Sequence, residues 1–287
     1  MNIVVLASLY CLIGYGYVLI YQVSRVLNLA HGELMSLGGY FLLTIVIMGM
    51  TVSPLTSFLL AFILLLALGL VIYFVLMRLM TGESVFTAVL VTISLGILLR
   101  GLITLTWTSQ SWFPLQYMGI RASSFQFIGG AQIPTFGLVK VASALGVFLI
   151  LTFGIKYTRW GIKMRAVGEN PLLASQRGIA IHKYYALAWG LATSIGGLAG
   201  MIQACDSGLD PGMFIIGLKA FPVVLVAGLD SLSGVIPAAL LVATAEILAI
   251  NYISPQASDV APFAVLVAML LIRPWGLFGT KEELERV

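Results

Sequence analysis

The hydrophobic positions of this chain fall into long unbroken runs rather than alternating patterns. Nine such runs, bounded by glycine, proline or charged residues, cover 3–23, 34–50, 56–77, 85–107, 138–156, 185–205, 214–229, 235–253 and 260–273. A transmembrane helix needs about 20 mostly apolar residues, whereas barrel strands alternate with a period of two. The pattern therefore predicts an all-α integral membrane protein, a polytopic bundle of about 8–9 transmembrane helices. Two runs, 34–50 and 214–229, are short enough to be broken or re-entrant.

Composition excludes a soluble globular protein. Of the 287 residues, 60% are hydrophobic and only 9% are charged, and the mean hydropathy is +1.07. Soluble domains carry about 25% charged residues because their surfaces face water. The nine runs use most of the length, so we expect a single transmembrane domain over residues 1–287. The first run lacks the flanking features of a signal peptide, and we expect it to be a retained span.

The basic residues predict the orientation of the bundle. One polar segment has a single acid, Glu169, and six basic residues: Lys156, Arg159, Lys163, Arg165, Arg177 and Lys183. Cytoplasmic loops are enriched in Lys and Arg, which predicts that this loop, about 156–184, lies inside. Counting spans from it puts the N-terminus outside. It also puts eleven of the fifteen basic residues inside, at 25, 78, 156, 159, 163, 165, 177, 183, 273, 281 and 286. Membrane orientation thus explains the net charge of +4, and we expect no nucleic-acid partner.

The residues within this loop predict a short helix. Asn170 is a preferred N-cap, and Pro171 suits the first helical position because its missing N–H would have no partner there. Arg177 opposes the negative end of the helix dipole, and Gly178 suits a left-handed residue that ends a helix. We therefore predict a helix of about seven residues, roughly 10 Å long. Such a helix is unstable alone, so it either covers the protein's own inner face or docks into a cytoplasmic partner. We favour the second.

Several polar residues at or near membrane depth are candidates for a solute path. Asn28, His31 and Glu33 fall between the first two runs, where polar groups suit a cavity-lining break in a helix or an ordinary turn. Arg100 and Glu246 lie within predicted spans, where a charge costs roughly 2.5–3.5 kcal/mol. We expect each to face the bundle interior with a partner, although the long Arg100 side chain can also reach the interface.

The sequence lacks the motifs of common catalytic and cofactor sites. It has no Gly-Lys dipeptide and hence no P-loop, so we expect no cofactor on this chain. His31 and His182 are its two histidines, and no Cys/His cluster has metal-ligand spacing. Ser231 and Ser233 lie in a Gly-bounded turn, and no late span contains a histidine to act as their base. We therefore expect neither an enzyme nor a metal site.

Small and aromatic residues predict how the helices pack. Ala192, Gly196 and Gly200 are spaced four apart, which leaves one helix face as nearly bare backbone and permits close contact. Cys11 and Cys205 lie in or beside apolar runs and are expected to pack rather than form a disulfide. The longest outer connection, about 108–137, carries aromatic residues that suit the membrane interface or a docking surface for an extracytoplasmic partner.

Several segments form a combination that is more specific than any one of them. They are Val26–Glu33, Gly38–Tyr40, Arg165–Val167, Asn170-Pro171, Gly178-Ile179, Leu198–Gly200, Gly228–Gly234 and Arg273–Gly279. The combination runs nearly end to end and resembles the permease subunits of branched-chain amino-acid ABC importers of the LivH type. The sequence departs from the family pattern twice. Leu172-Leu173-Ala174 replaces an acid followed by two alanines, and Ser233 stands where a proline is common.

The resemblance implies a complex in the bacterial inner (cytoplasmic) membrane. Its partners would be two ABC ATPase subunits that bind ATP, a second, LivM-like permease and a periplasmic solute-binding protein. The short inner helix would then be a coupling helix. The ATPase-coupling residues would be Glu169, Asn170, Pro171, Leu172, Leu173, Ala174, Arg177 and Gly178.

The resemblance implies transport of branched-chain or other small neutral amino acids, with urea and short amides as alternatives within the family. An ion-coupled secondary transporter is the runner-up from another class. It would need acids within the membrane or an inverted repeat built on broken helices, and the sequence shows one acid in a span, Glu246, and no convincing repeat. An intramembrane enzyme ranks last, for lack of a catalytic pair.

Overall fold

The computed structural model describes residues 2–49, 53–120, 124–126 and 132–279. Its helices are α1 (Ile3–Ser24), α2 (His31–Ile47), α3 (Pro54–Val75), α4 (Val85–Trp107), α5 (Pro114–Tyr117), α6 (Thr135–Tyr157), α7 (Arg159–Glu169), α8 (Pro171–Gln176), α9 (Ile181–Ser207), α10 (Phe214–Ala227), α11 (Val235–Tyr252) and α12 (Ala261–Ile272). Three short 3₁₀ turns span Met77–Met80, Pro211–Met213 and Pro255–Asp259. Two strands, β1 (Ser124–Gln126) and β2 (Gln132–Pro134), pair antiparallel with Phe125 opposite Ile133.

Each apolar run forms a helix, and the all-α membrane bundle is confirmed. Within the described residues, six helices are long and apolar enough to cross a membrane: α1, α3, α4, α6, α9 and α11. The helices α2, α10 and α12 have 17, 14 and 12 residues. A span count of about 8–9 therefore stays a prediction.

Local capping explains where several helices begin. The Ser53 side chain accepts from the Thr56 amide, the Thr56 side chain accepts from the Ser53 amide, and Pro54 occupies the first turn of α3. At the start of α4, Ser84 accepts a hydrogen bond from the amide of Thr87 at 3.1 Å. These caps satisfy amides that have no partner within the helix.

The helices α1 and α9 form the centre of the bundle and are mostly buried, whereas α3, α4 and α6 expose much of their apolar surface. A Cβ at Gly197 would overlap Leu65 of α3, and one at Gly200 would overlap the backbone of Met35 in α2. The bare face predicted on α9 is therefore where α2 approaches it, and α3 approaches at the adjacent Gly197. Cys11 and Cys205 are both buried and free, as expected.

The basic loop lies at one end of the bundle. There the Arg25 Nε atom, just after α1, donates to the Gly168 carbonyl of α7 at 3.2 Å. His182, at the start of α9, hydrogen-bonds the Tyr73 hydroxyl of α3 at 2.7 Å. The end of α1, the end of α3 and the start of α9 therefore share one end of the bundle, as the predicted alternation of spans requires.

The connection between α4 and α6 lies at the opposite end. Trp107 donates from its indole nitrogen to the Thr44 hydroxyl at 2.9 Å, and Trp112 and Leu209 exchange two backbone hydrogen bonds of 2.8 Å. The sequence did not predict α5 or the β1–β2 hairpin in this connection. Arg121 lies outside the described residues.

The tail after α12 binds back onto the end of α10. The amide of Leu277 donates to the Val226 carbonyl at 2.8 Å, and that of Phe278 donates to the Ala227 carbonyl at 3.0 Å. Gly228 has a φ of +98°, and a Cβ there would meet the backbone of Gly279. The tail therefore fits against the α10–α11 turn closely enough to require glycine there.

Candidate functional site

Both ends of the short helix α8 have the predicted caps. The Asn170 side-chain oxygen accepts from the amide of Leu173 at 3.0 Å, which satisfies an amide of the first turn. At the other end, the Ile179 amide donates to the Ala174 carbonyl at 3.1 Å, and Gly178 has a φ of +77°. This is a Schellman ending, and it confirms the predicted caps and the short helix between them.

Most of the side chains of α8 point away from the rest of the chain and are exposed. Ala174 is its buried residue, whereas Leu172 and Leu173 are 68% and 57% exposed. Glu169 and Arg177, which flank the helix, are exposed as well. Two adjacent leucines thus protrude from the basic end of the bundle on a helix that is too short to be stable alone.

The preceding helix α7 connects α8 to the core. Gly168 lies so close to the end of α1 that a Cβ would overlap the Gln22 carbonyl. The Gln22 side-chain amide in turn donates to the Asp230 carbonyl at 2.5 Å in the α10–α11 turn. A cavity of about 460 Å³ is lined by these residues together with Arg25 and Arg165. A displacement of α8 would therefore act on α1 and on the α10–α11 turn.

His31 lies at the start of α2 in a slot between α1 and α9. A Cβ at Gly16 or at Gly196 would overlap its ring, which is fully buried and 4.5 Å from the Tyr17 ring centre. Both ring nitrogens lack a hydrogen-bond partner in the described part of the chain, as does the buried amide nitrogen of Asn28. Because α2 begins here, the connection after α1 re-enters the bundle rather than forming an ordinary surface turn.

Glu33 and Arg100 form an ion pair in a cleft between α2, α4 and α10. The Arg100 Nη2 atom is 2.5 Å from Glu33 Oε1, and the guanidinium carbon lies 3.5 Å from the Phe214 ring centre. The cleft holds about 190 Å³, and Gly32 and Gly96 form part of its wall. Glu33 is buried, whereas the Arg100 side chain is 44% exposed. The cleft thus presents a carboxylate, a guanidinium and an aromatic face together.

Glu246 belongs to a second polar cluster. Its carboxylate accepts a 2.5 Å hydrogen bond from the Tyr10 hydroxyl of α1 and lies 3.2 Å from the Lys219 ammonium of α10. Lys219 also lies 2.8 Å from Asp259 in the turn before α12. The expected partners of Arg100 and Glu246 are thus confirmed, and the two charges lie in different clusters.

A model of the family described as "Branched-chain amino acid transport system / permease component" matches residues 1–270. This chain belongs to that family. The permease is 32% identical over 298 residues to the high-affinity branched-chain amino acid transport system permease protein LivH of Salmonella typhimurium, covering 100% of this chain and 96% of that protein. LivH of Escherichia coli is 30% identical and BraD of Pseudomonas aeruginosa 27% identical, with the same coverage. The family is one of transport permeases, not of enzymes. The six long apolar helices make this chain a multi-pass membrane protein.

Of the five predicted path residues, Glu33 and Arg100 line the cleft between α2, α4 and α10. Asn28, His31 and Glu33 follow one another along the re-entrant segment and α2, and Arg100 joins them through Glu33. Glu246 lies apart from them. Glu33 was expected before the second span, but it occupies the first turn of α2 and is buried.

Sequence reasoning missed several partners in the permease. Lys219 and Tyr10 complete the Glu246 cluster, and Lys140 of α6, although fully buried, pairs with Asp206 at the end of α9. A lysine within an apolar run was a visible signal at both positions, but the acid that pairs with it is distant in sequence. Within the described residues, no group of three or more His, Cys, Asp or Glu could hold a metal ion.

Asp259 is a titratable group of the Glu246 cluster that lies outside the helices. The Lys219 ammonium, through a hydrogen bond and its charge, lowers the pKa of the Asp259 carboxyl below its usual range. Asp259 is 70% exposed, so water screens this attraction and its contribution to stability is small.

Proposed function

We propose that the permease is the membrane-spanning subunit of an ATP-driven importer in the bacterial inner membrane. Its solutes are branched-chain or other small neutral amino acids, as the names of its relatives indicate. All nine long apolar segments, including the shorter α2, α10 and α12, cross the membrane within one domain over residues 1–287. The observation that carries the proposal is the short, doubly capped α8, whose Leu172 and Leu173 are left exposed by the described residues.

In this proposal, α8 is the coupling helix. One of the two ABC ATPase subunits binds the exposed residues Glu169, Asn170, Pro171, Leu172, Leu173, Arg177 and Gly178 in its surface, while Ala174 packs the helix onto the permease. Closure of the ATPases around ATP moves α8, and α7 passes the motion to α1 and to the α10–α11 turn. The inward-facing and outward-facing states of the permease bind the closed ATPases with different affinities. ATP binding therefore shifts the population from one state to the other.

The opposite end of the bundle is the docking side for a periplasmic solute-binding protein. There the α4–α6 connection, with Trp107 and Trp112 tied to α2 and Leu209, presents a fixed surface. A second permease, LivM-like, completes the path. The partners supply ATP binding, and no cofactor is needed on this chain.

The solute path includes Asn28, His31, Glu33 and Arg100. A zwitterionic amino acid carries an ammonium and a carboxylate, and the cleft offers Glu33 and Arg100 as groups of opposite charge. The Phe214 ring and Gly96 supply apolar contact for a hydrocarbon side chain. Glu246 supports the path from its own cluster by holding α10 and α11 together.

Replacing Gly178 by valine tests the coupling role. Valine is strained at a φ of +77°, by about 1–2 kcal/mol, so the Schellman ending of α8 is lost although no atom blocks the side chain. We expect ATP hydrolysis to continue while uptake of labelled leucine into proteoliposomes containing all subunits falls at least tenfold. Gly82→Val is the matched control. Gly82 has a φ of +97° and equally open space, but it lies between α3 and α4.

Normal uptake by the Gly178 variant, or equal loss in the control, would contradict the coupling role. Uptake in vesicles without ATPase subunits would instead favour an ion-coupled transporter. Competition by urea or short amides but not by leucine would retain the importer and change its solute.

A further inference from the structure

An apolar cleft lies beside the basic end of the bundle, away from both polar clusters. It has a volume of about 260 Å³ and is formed by residues of α1, α3, α6, α7 and α9. Phe62, Val147 and Leu151 are among its walls, and only Thr158 and Trp160 bring a polar side-chain group to the lining. A cleft of this character binds hydrocarbon rather than a polar solute.

The position of the cleft matches one leaflet of a bilayer. Its lining along α6 and the residue that caps it runs from Val147 to Thr158, which is about 16 Å at 1.5 Å per residue, or half of a hydrocarbon core of about 30 Å. Ile150, which lines the cleft, is 72% exposed, and α6 is among the least buried of the long helices. The cleft therefore opens towards acyl chains.

Basic side chains surround the inner end of the cleft. The Lys183 ammonium lies 4.8 Å from the ring centre of Trp160, and Lys156 and Arg159 are exposed on either side of Thr158. No acid occurs between Phe153 and Gly168. Cations at the interface attract anionic lipid headgroups by roughly 1 kcal/mol each.

We propose that this cleft is a binding site for a phospholipid with an anionic headgroup. One acyl chain lies along α6 between Val147 and Gly154, and the phosphate lies near Lys183 and Lys156. Gly154 leaves space for the chain, since a Cβ there would meet no atom within 4 Å. A lipid in this site contacts both α6 and α7, so it stabilises the position of the helix that carries α8.

Two variants of α6 provide a matched test. Gly154→Leu fills the cleft, whereas Gly146→Leu adds the same side chain on the same helix outside it, again with no atom within 4 Å of the new Cβ. The full-length proteins are purified from the same membranes, and native mass spectrometry counts the phospholipids that each retains. We expect the wild type and Gly146→Leu to retain one phospholipid enriched in phosphatidylglycerol, and Gly154→Leu to lose it. Equal retention by all three would overturn the site.

A variant at the proposed headgroup contact tests the same site even if Gly154→Leu fails to fold. Lys183→Gln should still retain a phospholipid, with its preference for phosphatidylglycerol over phosphatidylcholine reduced about fivefold. An unchanged preference would overturn the role of the basic rim. Inorganic phosphate is added to phosphatidylcholine nanodiscs to separate a lipid from a free anion. If inorganic phosphate raises the thermal midpoint of the protein as much as phosphatidylglycerol does, the site binds phosphate rather than a lipid.

Discussion

The permease contains two clusters of opposite charges that differ in their access to the surroundings. In the Glu33 cluster, one acid meets one base, and the Arg100 side chain, which lines the cleft, is 44% exposed. In the Glu246 cluster, Lys219 is only 11% exposed and is shared by two acids.

This difference indicates different roles for similar residues. An open pair can exchange a partner for a charged group of a solute, because a solute can replace each lost contact. A closed pair cannot do so without leaving a charge buried, which costs far more than the pair gains. The Glu246 cluster thus holds α1, α10 and α11 together, and the Glu33 cluster is suited to binding.

The largest expected effect comes from removing the shared base. Lys219→Met leaves the buried Glu246 carboxylate with only the Tyr10 hydroxyl, and we expect a loss of stability of about 3 kcal/mol. Denaturant unfolding of the protein in detergent measures it. The double variant with Glu246→Gln should recover most of the loss, because no unpaired charge remains. A loss below that of Arg100→Gln would show that the cluster is not closed.

An intermediate effect on stability is expected in the open cleft. Arg100→Gln leaves the buried Glu33 carboxylate without its cation, but the Gln amide can still donate to it, so we expect a loss of about 1–2 kcal/mol, while uptake of labelled leucine falls at least tenfold. Arg100→Lys is the control. It keeps the positive charge but loses the planar guanidinium, so it separates the effect of charge from that of geometry. Unchanged uptake in Arg100→Gln would remove the cleft from the solute path.

The smallest expected effect is that of Asp259 and depends on pH. Its pKa is lowered in the folded protein, so the stability that it adds is present at neutral pH and disappears as the pH falls through the lowered pKa. Asp259→Asn should therefore lower stability by at most about 0.5 kcal/mol at pH 7. The thermal midpoints of variant and wild type should converge in acid. A difference that persists there would show that the Asp259 side chain acts through packing.

Local features were predictable from the sequence, and long-range contacts were not. The caps of α8 depend on Asn170, Pro171 and Gly178, which act on their own neighbours in the chain, so their chemistry can be identified from the sequence. Similarly, the nine apolar runs mark the long helices because each helix satisfies its own backbone.

The candidate site depends on contacts that no local pattern encodes. Glu33 was predicted to lie outside a span because the apolar run starts after it, yet α2 begins at His31, where glycines of α1 and α9 leave space for the ring. The partners of Lys219 and Lys140 are set by helix packing across the bundle. Composition alone does not give the number of spans, since α2 and α10 have only 17 and 14 residues.

The contacts of the tail after α12 have consequences for tagging and for proteolysis of the purified protein. An affinity tag fused beyond Gly279 leaves the bonds from Leu277 and Phe278 to α10 intact. Cleavage before Trp275 would strip the carbonyls of Val226 and Ala227 of these donors and expose the end of α10 to fraying. Protease resistance of this stretch can therefore serve as a simple assay of whether a purified sample is correctly assembled.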